Sequence, residues 1–345
     1  MPISSSLGSS ALLPAGLGFR NKIINGDFGI NQRAFTSTTT DGAYGFDRWR
    51  MFASDGTTTY SAQTFTAGNA IPNQEPKNFA RLVTSGQTSS TAVSILVQRI
   101  EDVRTSAGQQ VTVSFWAKAA SGTPKVSVEF VQGFGSGGSA DVNTYINQVT
   151  LSTSWVRYTV TGVPPSISGK TIGSDNGYLA LHLWVSGGST YNSRTGSLGI
   201  QSNTFDFWGV QLEQNYQPTP FEQRPYGTEL ALCQRYYEDS VTTTSSIGAN
   251  AGLGGNTYCA PTFFKVTKRI PPTSVNGAND TSGNIRMWNN VGAAGSVSYY
   301  QGGWTNAHTT MTMDWSGTWG FSLTTIGGLM DADLVAFRYA YSAEL

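Results

Sequence analysis

Charge is scarce in this chain. Only 12% of its 345 residues are Asp, Glu, Lys or Arg, and 21 basic side chains cancel 21 acidic ones. That leaves no basic footprint for nucleic acid and no field to steer a charged partner. Cys233 and Cys259 are the only cysteines, without the spacing of a metal site or a disulfide framework. They fall on different expected elements, so they either bridge or stay as buried free thiols. The two histidines, His182 and His308, have no H-x-x-x-H and no cysteine beside them. No apolar run approaches the roughly 18 residues of a membrane helix, so membrane insertion is not expected. The opening MPISSSLGSSALLPAGLGF lacks a basic n-region and is broken by Gly and Pro, which is not a secretory signal. Synthesis in a cytoplasm without secretion is the expectation.

What is abundant is glycine (40 residues), Ser/Thr and aromatics (12%), the composition of a β-protein with many turns. Residues 1–20 carry Leu7, Leu12, Leu13, Leu17 and Phe19 without a period; the segment either packs along its own domain or docks on a partner. From Asn21 strands are expected at Phe79–Val83, Val93–Ile100, Gln110–Lys118, Lys125–Gln132, Ile146–Leu151, Val156–Val160, Tyr178–Val185 and Phe205–Leu212. Ser121-Gly-Thr-Pro124 reads as a hairpin turn. This spacing predicts an all-β chain whose residues 21–217 form an N-terminal jelly-roll sandwich. Phe205–Leu212 has Phe205 and Phe207 on one face and Trp208, Val210 and Leu212 on the other, which predicts packing on both sides. A linker with Pro218, Pro220 and Pro225 follows, then a short helix from Thr228 as cap to Tyr237, closing the segment 218–238. Residues 239–345 are expected to form a C-terminal antiparallel β-sandwich.

Catalysis finds little to rest on. Asp47 with Glu101, or Glu213 with Glu222, are acid/base candidates, but their separation is not readable and Asp47 sits beside Arg48 and Arg50, which suits a structural ion pair. An enzyme is therefore not expected. Ligand chemistry points to aromatics, since sugar C–H faces stack on Trp and Tyr while amides and hydroxyls take the ring hydroxyls. Phe134 in a Gly-rich loop, Tyr145 and Tyr191 are candidates in the first domain; Trp116, Trp155 and Trp208 read as core. The C-terminal half offers Trp288, Tyr299, Tyr300, Trp304, Asn306 and Trp319. These residues suit a neutral glycan, or burial between subunits.

The runs FWAKA (115–119), TSWVRYTVT (153–161) and FDFWGVQLE (205–213) resemble carbohydrate-binding-module jelly rolls. NKIINGDFGINQR (21–33), YGFDRW (44–49) and PTPFEQRPYGTELALCQRYYE (218–238) resemble bacteriophage tail and appendage proteins, over roughly residues 15–238. FFKVTKRIPPTSV (263–275) and FRYAYSAEL (337–345) resemble C-terminal modules of phage tail fibres. The resemblance implies a virion protein that binds a host surface polysaccharide, with a purely structural head or tail decoration as the alternative and a capsule depolymerase as a third. It implies a homotrimer, attachment to other virion proteins through residues 1–20, and Arg235 and Tyr236 turned toward a neighbouring subunit. It also implies a structural Ca²⁺ at Asp27 and Asp206; the competing expectation is an Asx turn at Asp27 and pairing of Asp206 with Arg48 or Arg50.

Overall fold

The computed structural model describes residues 19–68, 71–239 and 265–270, with 251–253, 257–263, 273–274, 284–288, 294–298, 302–306, 310–316 and 340–344. The sandwich strands are β1 (Ser37–Thr38), β2 (Arg50–Ser54), β3 (Thr57–Thr64), β4 (Asn78–Ser85), β5 (Val93–Glu101), β6 (Val111–Ala119), β7 (Lys125–Ser136), β8 (Val142–Thr150), β9 (Val156–Gly162), β10 (Ser174–Gly187) and β11 (Thr204–Glu213). They form a first sheet of six strands, β1-β3-β4-β11-β6-β9, and a second of five, β2-β5-β10-β7-β8. Every ladder is antiparallel. Two short helices accompany them, α1 (Asn192–Thr195) and α2 (Tyr226–Gln234).

Alternation explains the core. Val111, Val113, Phe115 and Ala117 of β6 face Val126, Val128 and Phe130 of β7 and Leu179, Leu181 and Leu183 of β10, all nearly or fully buried in one cluster. Each of these side chains larger than Ala117 contributes about 1.5–3 kcal/mol of transfer free energy.

In β11 the expected two-sided packing holds at Trp208, buried beside Trp116 and against Phe221, but Val210 and Leu212 fall on the face of Phe205 and Phe207. Gly209 sits at φ +62°, and the register with β6 shifts between Trp208 and Gln211. This bulge resets the phase of alternation. Phe205, Phe207, Val210 and Leu212 all reach the core. Asp206 and Gln211 point outward, to Arg81 and to the Glu213–Thr219 corner. The Ser121–Pro124 turn also differs from expectation: β6 belongs to the first sheet and β7 to the second, so it carries the chain across the sandwich and makes no hairpin. Helix α2 starts after Pro225, with no side-chain cap, and Thr228 lies inside its first turn. Tyr237 has left the helix and begins β12 (Tyr237–Asp239).

The opening and closing motifs of the first 238 residues meet in one polar knot. Asn25, fully buried and at φ +56°, donates through Nδ2 to the carbonyls of Ile30 (2.8 Å) and Asp47 (2.9 Å). Its own carbonyl accepts Trp49 Nε1 at 2.8 Å, and its backbone N–H donates to Glu229 of α2. Gly26 lies against Val210 of β11, where a Cβ would come within 2.1 Å of the Val210 carbonyl oxygen. Asp47 accepts the Gln32 backbone N–H (2.7 Å) and side-chain amide (2.8 Å) and pairs with Arg33 at 3.6 Å. The expected neighbour Arg48 turns instead to Glu344 and stacks on the Tyr236 ring at 3.4 Å.

Beyond the sandwich, β12 pairs with Ala340–Ser342, which pairs with Thr273–Ser274. Residues 251–253, 257–263, 310–316 and 302–306 form a four-stranded sheet, and 284–288 pairs with 294–298. Residues 1–18, and within the expected C-terminal sandwich residues 240–250 and 317–339, lie outside the described residues.

Candidate functional site

The outer face of the second sheet carries a polar centre in an apolar surround. Glu129 of β7 stands opposite His182 of β10 and Tyr145 of β8, so all three share this face. Its carboxylate is fully buried and accepts four donors: Arg194 Nε (2.6 Å) and Nη2 (2.9 Å), Trp184 Nε1 (2.8 Å) and His182 Nδ1 (3.0 Å). Burial pushes the Glu129 carboxyl up, but the hydrogen bonds from His182 and Arg194 outweigh it and hold it below its ordinary value. Burial also pushes His182 down. The ring is therefore neutral at pH 7 and donates through Nδ1.

This centre fastens the segment 189–198 to the sheet. Arg194 projects from α1, whose last residue, Thr195, gives its carbonyl to Ser127 Oγ and Gln148 Nε2, both at 2.6 Å. Tyr191 then packs on Trp184 with centroids 5.3 Å apart. Gly196 lies so close to the Tyr145 ring that a Cβ there would meet it at 2.4 Å. Across the face, Arg99 stacks on Tyr178 at 4.3 Å, and Arg50 on Phe52 at 4.4 Å. The half-buried rings of Phe52, Tyr145, Tyr178 and Tyr191, edged by Arg99, Arg194 and His182, make a broad aromatic and hydrogen-bonding surface.

Of the aromatic candidates in the sandwich, Tyr191 belongs to this face and Phe134 does not. The Gly-rich run after Gln132 continues β7 to Ser136, and Phe134 is 1% exposed in the interior. Trp208 is buried, while Trp116 and Trp155 are half-buried against the core cluster. Trp288, Trp304 and Asn306 lie on strands, whereas Tyr299, Tyr300, Trp319 and His308 lie outside the described residues.

The calcium expectation does not fit the residues present. Asp206 is held by Arg81 through two bonds (2.7 and 2.9 Å), with Lys118 at 3.7 Å. Two cations leave no carboxylate charge for a third, and neither Arg48 nor Arg50 takes part. Asp27 makes the Asx turn, its Oδ1 accepting the Gly29 N–H at 3.1 Å. Among the described residues no group of three or more His, Cys, Asp and Glu is placed to hold a metal.

Arg235 and Tyr236 bind within their own chain. Arg235 grips Glu101 (2.9 and 2.7 Å), and Tyr236, 3% exposed, donates to the same carboxylate at 3.0 Å. Cys233 is a buried free thiol, not one half of a bridge. The carboxylates weighed for acid/base work are likewise engaged. Glu213 accepts from Thr219 and Gln211, and Glu222 from the backbone of Phe19 and Asn21.

Sequence reasoning missed Glu129, Trp184 and Arg194. The available signal was a carboxylate inside the apolar run 126–134, a position that demands buried donors from elsewhere.

No family model and no curated protein matches this chain. Among solved structures it is similar to a family 4 carbohydrate-binding module (17% identity, 55% of this chain, 98% of that one, TM-score 0.32). It is similar to a CBM22-2 xylan-binding domain from Paenibacillus barcinonensis (16% identity, 53% and 100%, TM-score 0.33). It is also similar to a cyclase from Fischerella sp. TAU in complex with 4-(1H-indol-3-yl)butan-2-one (16% identity, 56% and 96%, TM-score 0.36). Identities this low carry neither a ligand nor a reaction from one chain to another.

Proposed function

We propose that this chain is a non-catalytic component of a bacteriophage appendage whose sandwich engages a host surface glycan on the outer face of its second sheet. The observation that carries the reading is the row of half-buried rings, Phe52, Tyr178, Tyr191 and Tyr145, edged by Arg99, Arg194 and His182. Rings of this kind offer stacking faces, and the cations and imidazole offer hydrogen bonds to hydroxyls. The tail-protein resemblance of residues 21–33, 44–49 and 218–238 supplies the virion setting. Attachment through residues 1–20, trimeric assembly and a second glycan surface at Trp288, Tyr299, Tyr300, Trp304, Asn306 and Trp319 belong to the same proposal. Several weak sites on one particle would act together through high effective concentration.

Binding of the full chain to an array of host polysaccharides tests it. The wild type binds, and Phe52→Ala with Tyr178→Ala weakens binding about tenfold, because each lost stacking contact is worth roughly 0.5–1.5 kcal/mol. Loss through Trp304→Ala with Tyr300→Ala alone moves the site to the C-terminal half. Absence of any glycan binding overturns the reading.

A purely structural role is the second reading, favoured by Phe19, Tyr216 and Tyr226, which are 55%, 75% and 68% exposed around the connection from β11 to α2. Burial of these rings between copies would make the linker an assembly surface. Light scattering at a trimer mass, reduced to monomer by Tyr216→Ser with Tyr226→Ser, supports that role; a monomeric wild type removes it.

A further inference from the structure

His182 presents one uncommitted nitrogen on the outer face of the second sheet. Its Nδ1 donates to Glu129 at 3.0 Å, and three further donors, Trp184 Nε1 and two from Arg194, hold that carboxylate ionised. A neutral imidazole carries one ring proton, so Nε2 keeps a bare lone pair and can only accept. Nε2 has no hydrogen bond to a described residue, yet it is not one of the side-chain atoms sealed from solvent without a partner. The open part of this side chain, 12% of its surface, therefore includes that nitrogen.

The neighbouring donors are turned elsewhere. Arg50 of β2 and His182 of β10 both stand opposite Val97 of β5, and Arg99 lies two residues further along β5. Arg50 lies on the Phe52 ring, with its Nε bonded to the Gly42 carbonyl at 2.6 Å. Arg99 lies on Tyr178, and Arg194 uses Nε and Nη2 on Glu129. None of the three bonds to Nε2, so its hydrogen-bond donor has to come from outside the chain. Tyr178 stands four residues before His182 on the same strand, roughly 13 Å away. Tyr145 stands two strands across the sheet, roughly 10 Å away. A stacking ring thus lies to either side of the bare nitrogen.

We propose that His182 Nε2 accepts a hydrogen bond from a hydroxyl of the bound glycan, and that protonation of the ring releases the glycan. The proposal rests on the reading of this face as the glycan surface, and adds what the ligand must bring there: a hydroxyl able to donate. An O-acylated hydroxyl has no proton to give and is refused. The charged and titratable groups around the ring are Glu129 of β7, Arg99 of β5, Arg50 of β2, Arg194 of α1, Tyr145 of β8 and Tyr178 of its own strand. Burial pushes the ring below its ordinary 6.5; Glu129 pulls it up, and the Arg194 and Arg99 charges push it down again. A sugar hydroxyl can turn to accept from a protonated Nε2, but the covering sugar then strips water from one more cation beside Arg99 and Arg194. The glycan therefore favours the neutral ring.

The test is titration of the full chain with dextran, mannan, galactan and any polysaccharide the host array retains, from pH 8 to pH 4.5. Circular dichroism confirms the fold at each pH. Wild-type affinity is expected to be constant at the alkaline end and to fall at least about threefold by pH 4.5, the decline starting below 6.5. His182→Phe fills the ring space without an acceptor and should bind about three- to tenfold more weakly at pH 8, the worth of one hydrogen bond. His182→Gln offers an amide oxygen that does not titrate, so it should bind more tightly than the Phe variant and hold one affinity across the range. If His182→Phe does not fold, the Gln profile still decides. Asp47 also titrates in this range, but in the knot beside α2 and in both variants, so a pH response that survives in His182→Gln overturns the proposal. A flat wild-type profile overturns it too, as does His182→Phe binding as tightly as wild type; each leaves the glycan reading intact. A chain that binds none of these polysaccharides removes the glycan reading, and this proposal with it.

Discussion

Arg194 holds Glu129 by a two-pronged contact, Nε to Oε1 at 2.6 Å and Nη2 to Oε2 at 2.9 Å, across 65 residues of chain. Because Glu129 is buried and Arg194 only partly exposed, the pair decides whether the 189–198 segment lies on the second sheet. Glu129→Gln leaves four donors facing a single acceptor oxygen. Removing one partner of a buried pair costs roughly 3–5 kcal/mol, and the part-exposure of Arg194 brings this to about 2–3 kcal/mol. Urea denaturation measures the loss, and hydrogen exchange should place the largest change in 189–198. The carboxyl is held below its unfolded value, so its stabilisation is present above about pH 4.5 and is lost as pH falls through the lowered value.

Asp47 has the opposite sign. Burial raises its carboxyl from 3.8 to about 6, against the pull of Arg33 and the hydrogen bonds from Gln32. The folded state therefore binds a proton that the unfolded chain has already released between those values. Stability from this group is full below about pH 3.8 and is lost as pH rises through 6, by about 3 kcal/mol in all. Asp47→Asn has no such dependence. The stability difference, wild type minus variant, should fall between pH 4 and pH 7 in denaturant titrations; a flat difference refutes the assignment.

The strands that alternate over seven or more residues were legible in the sequence, β5, β6 and β10 most clearly. What lay beyond reach depended on partners distant in the chain. Turn chemistry at Ser121–Pro124 marks where the chain reverses, but not which sheet it joins next. The Gly-rich run after Gln132 reads as a loop, because nothing local reveals that the Tyr178 ring lies over Gly133 and keeps β7 extended. Of the candidate site, Tyr191 and Tyr145 were visible as aromatics among polar residues. Glu129 was not, since its four donors come from β10 and α1.

Two glycines separate backbone demand from mere tolerance. Gly209 creates the β11 bulge at φ +62°, and a Cβ there would also press on Trp116 at 3.2 Å. Gly209→Ala should cost about 1–2 kcal/mol through the left-handed conformation, and more if Trp116 cannot shift. Gly227 lies in the first turn of α2 with nothing near its missing Cβ. Gly227→Ala should stabilise by about 0.4–1 kcal/mol. Thermal unfolding of the two variants should therefore move in opposite directions.

Trp49 and Trp208 invite the same substitution with different results. Both rings are buried, but Trp49 Nε1 donates to the Asn25 carbonyl at 2.8 Å, whereas Trp208 Nε1 is buried without a partner among the described residues. Trp49→Phe leaves a cavity and removes one of the two donors on the Asn25 carbonyl, which keeps the Phe28 N–H at 3.1 Å, in the knot that joins the opening loop to α2. Adding a cavity of roughly 1–2 kcal/mol to a lost hydrogen bond of about 0.5–1.5 kcal/mol predicts a loss of about 1.5–3.5 kcal/mol. Trp208→Phe leaves a similar cavity among Phe65, Phe221 and Trp116, but removes a donor whose burial was uncompensated. The two effects oppose each other there, so the net change should stay within about 1 kcal/mol. Urea midpoints followed by circular dichroism compare the variants directly. A loss in Trp208→Phe as large as that in Trp49→Phe would mean that the Trp208 N–H has a partner after all.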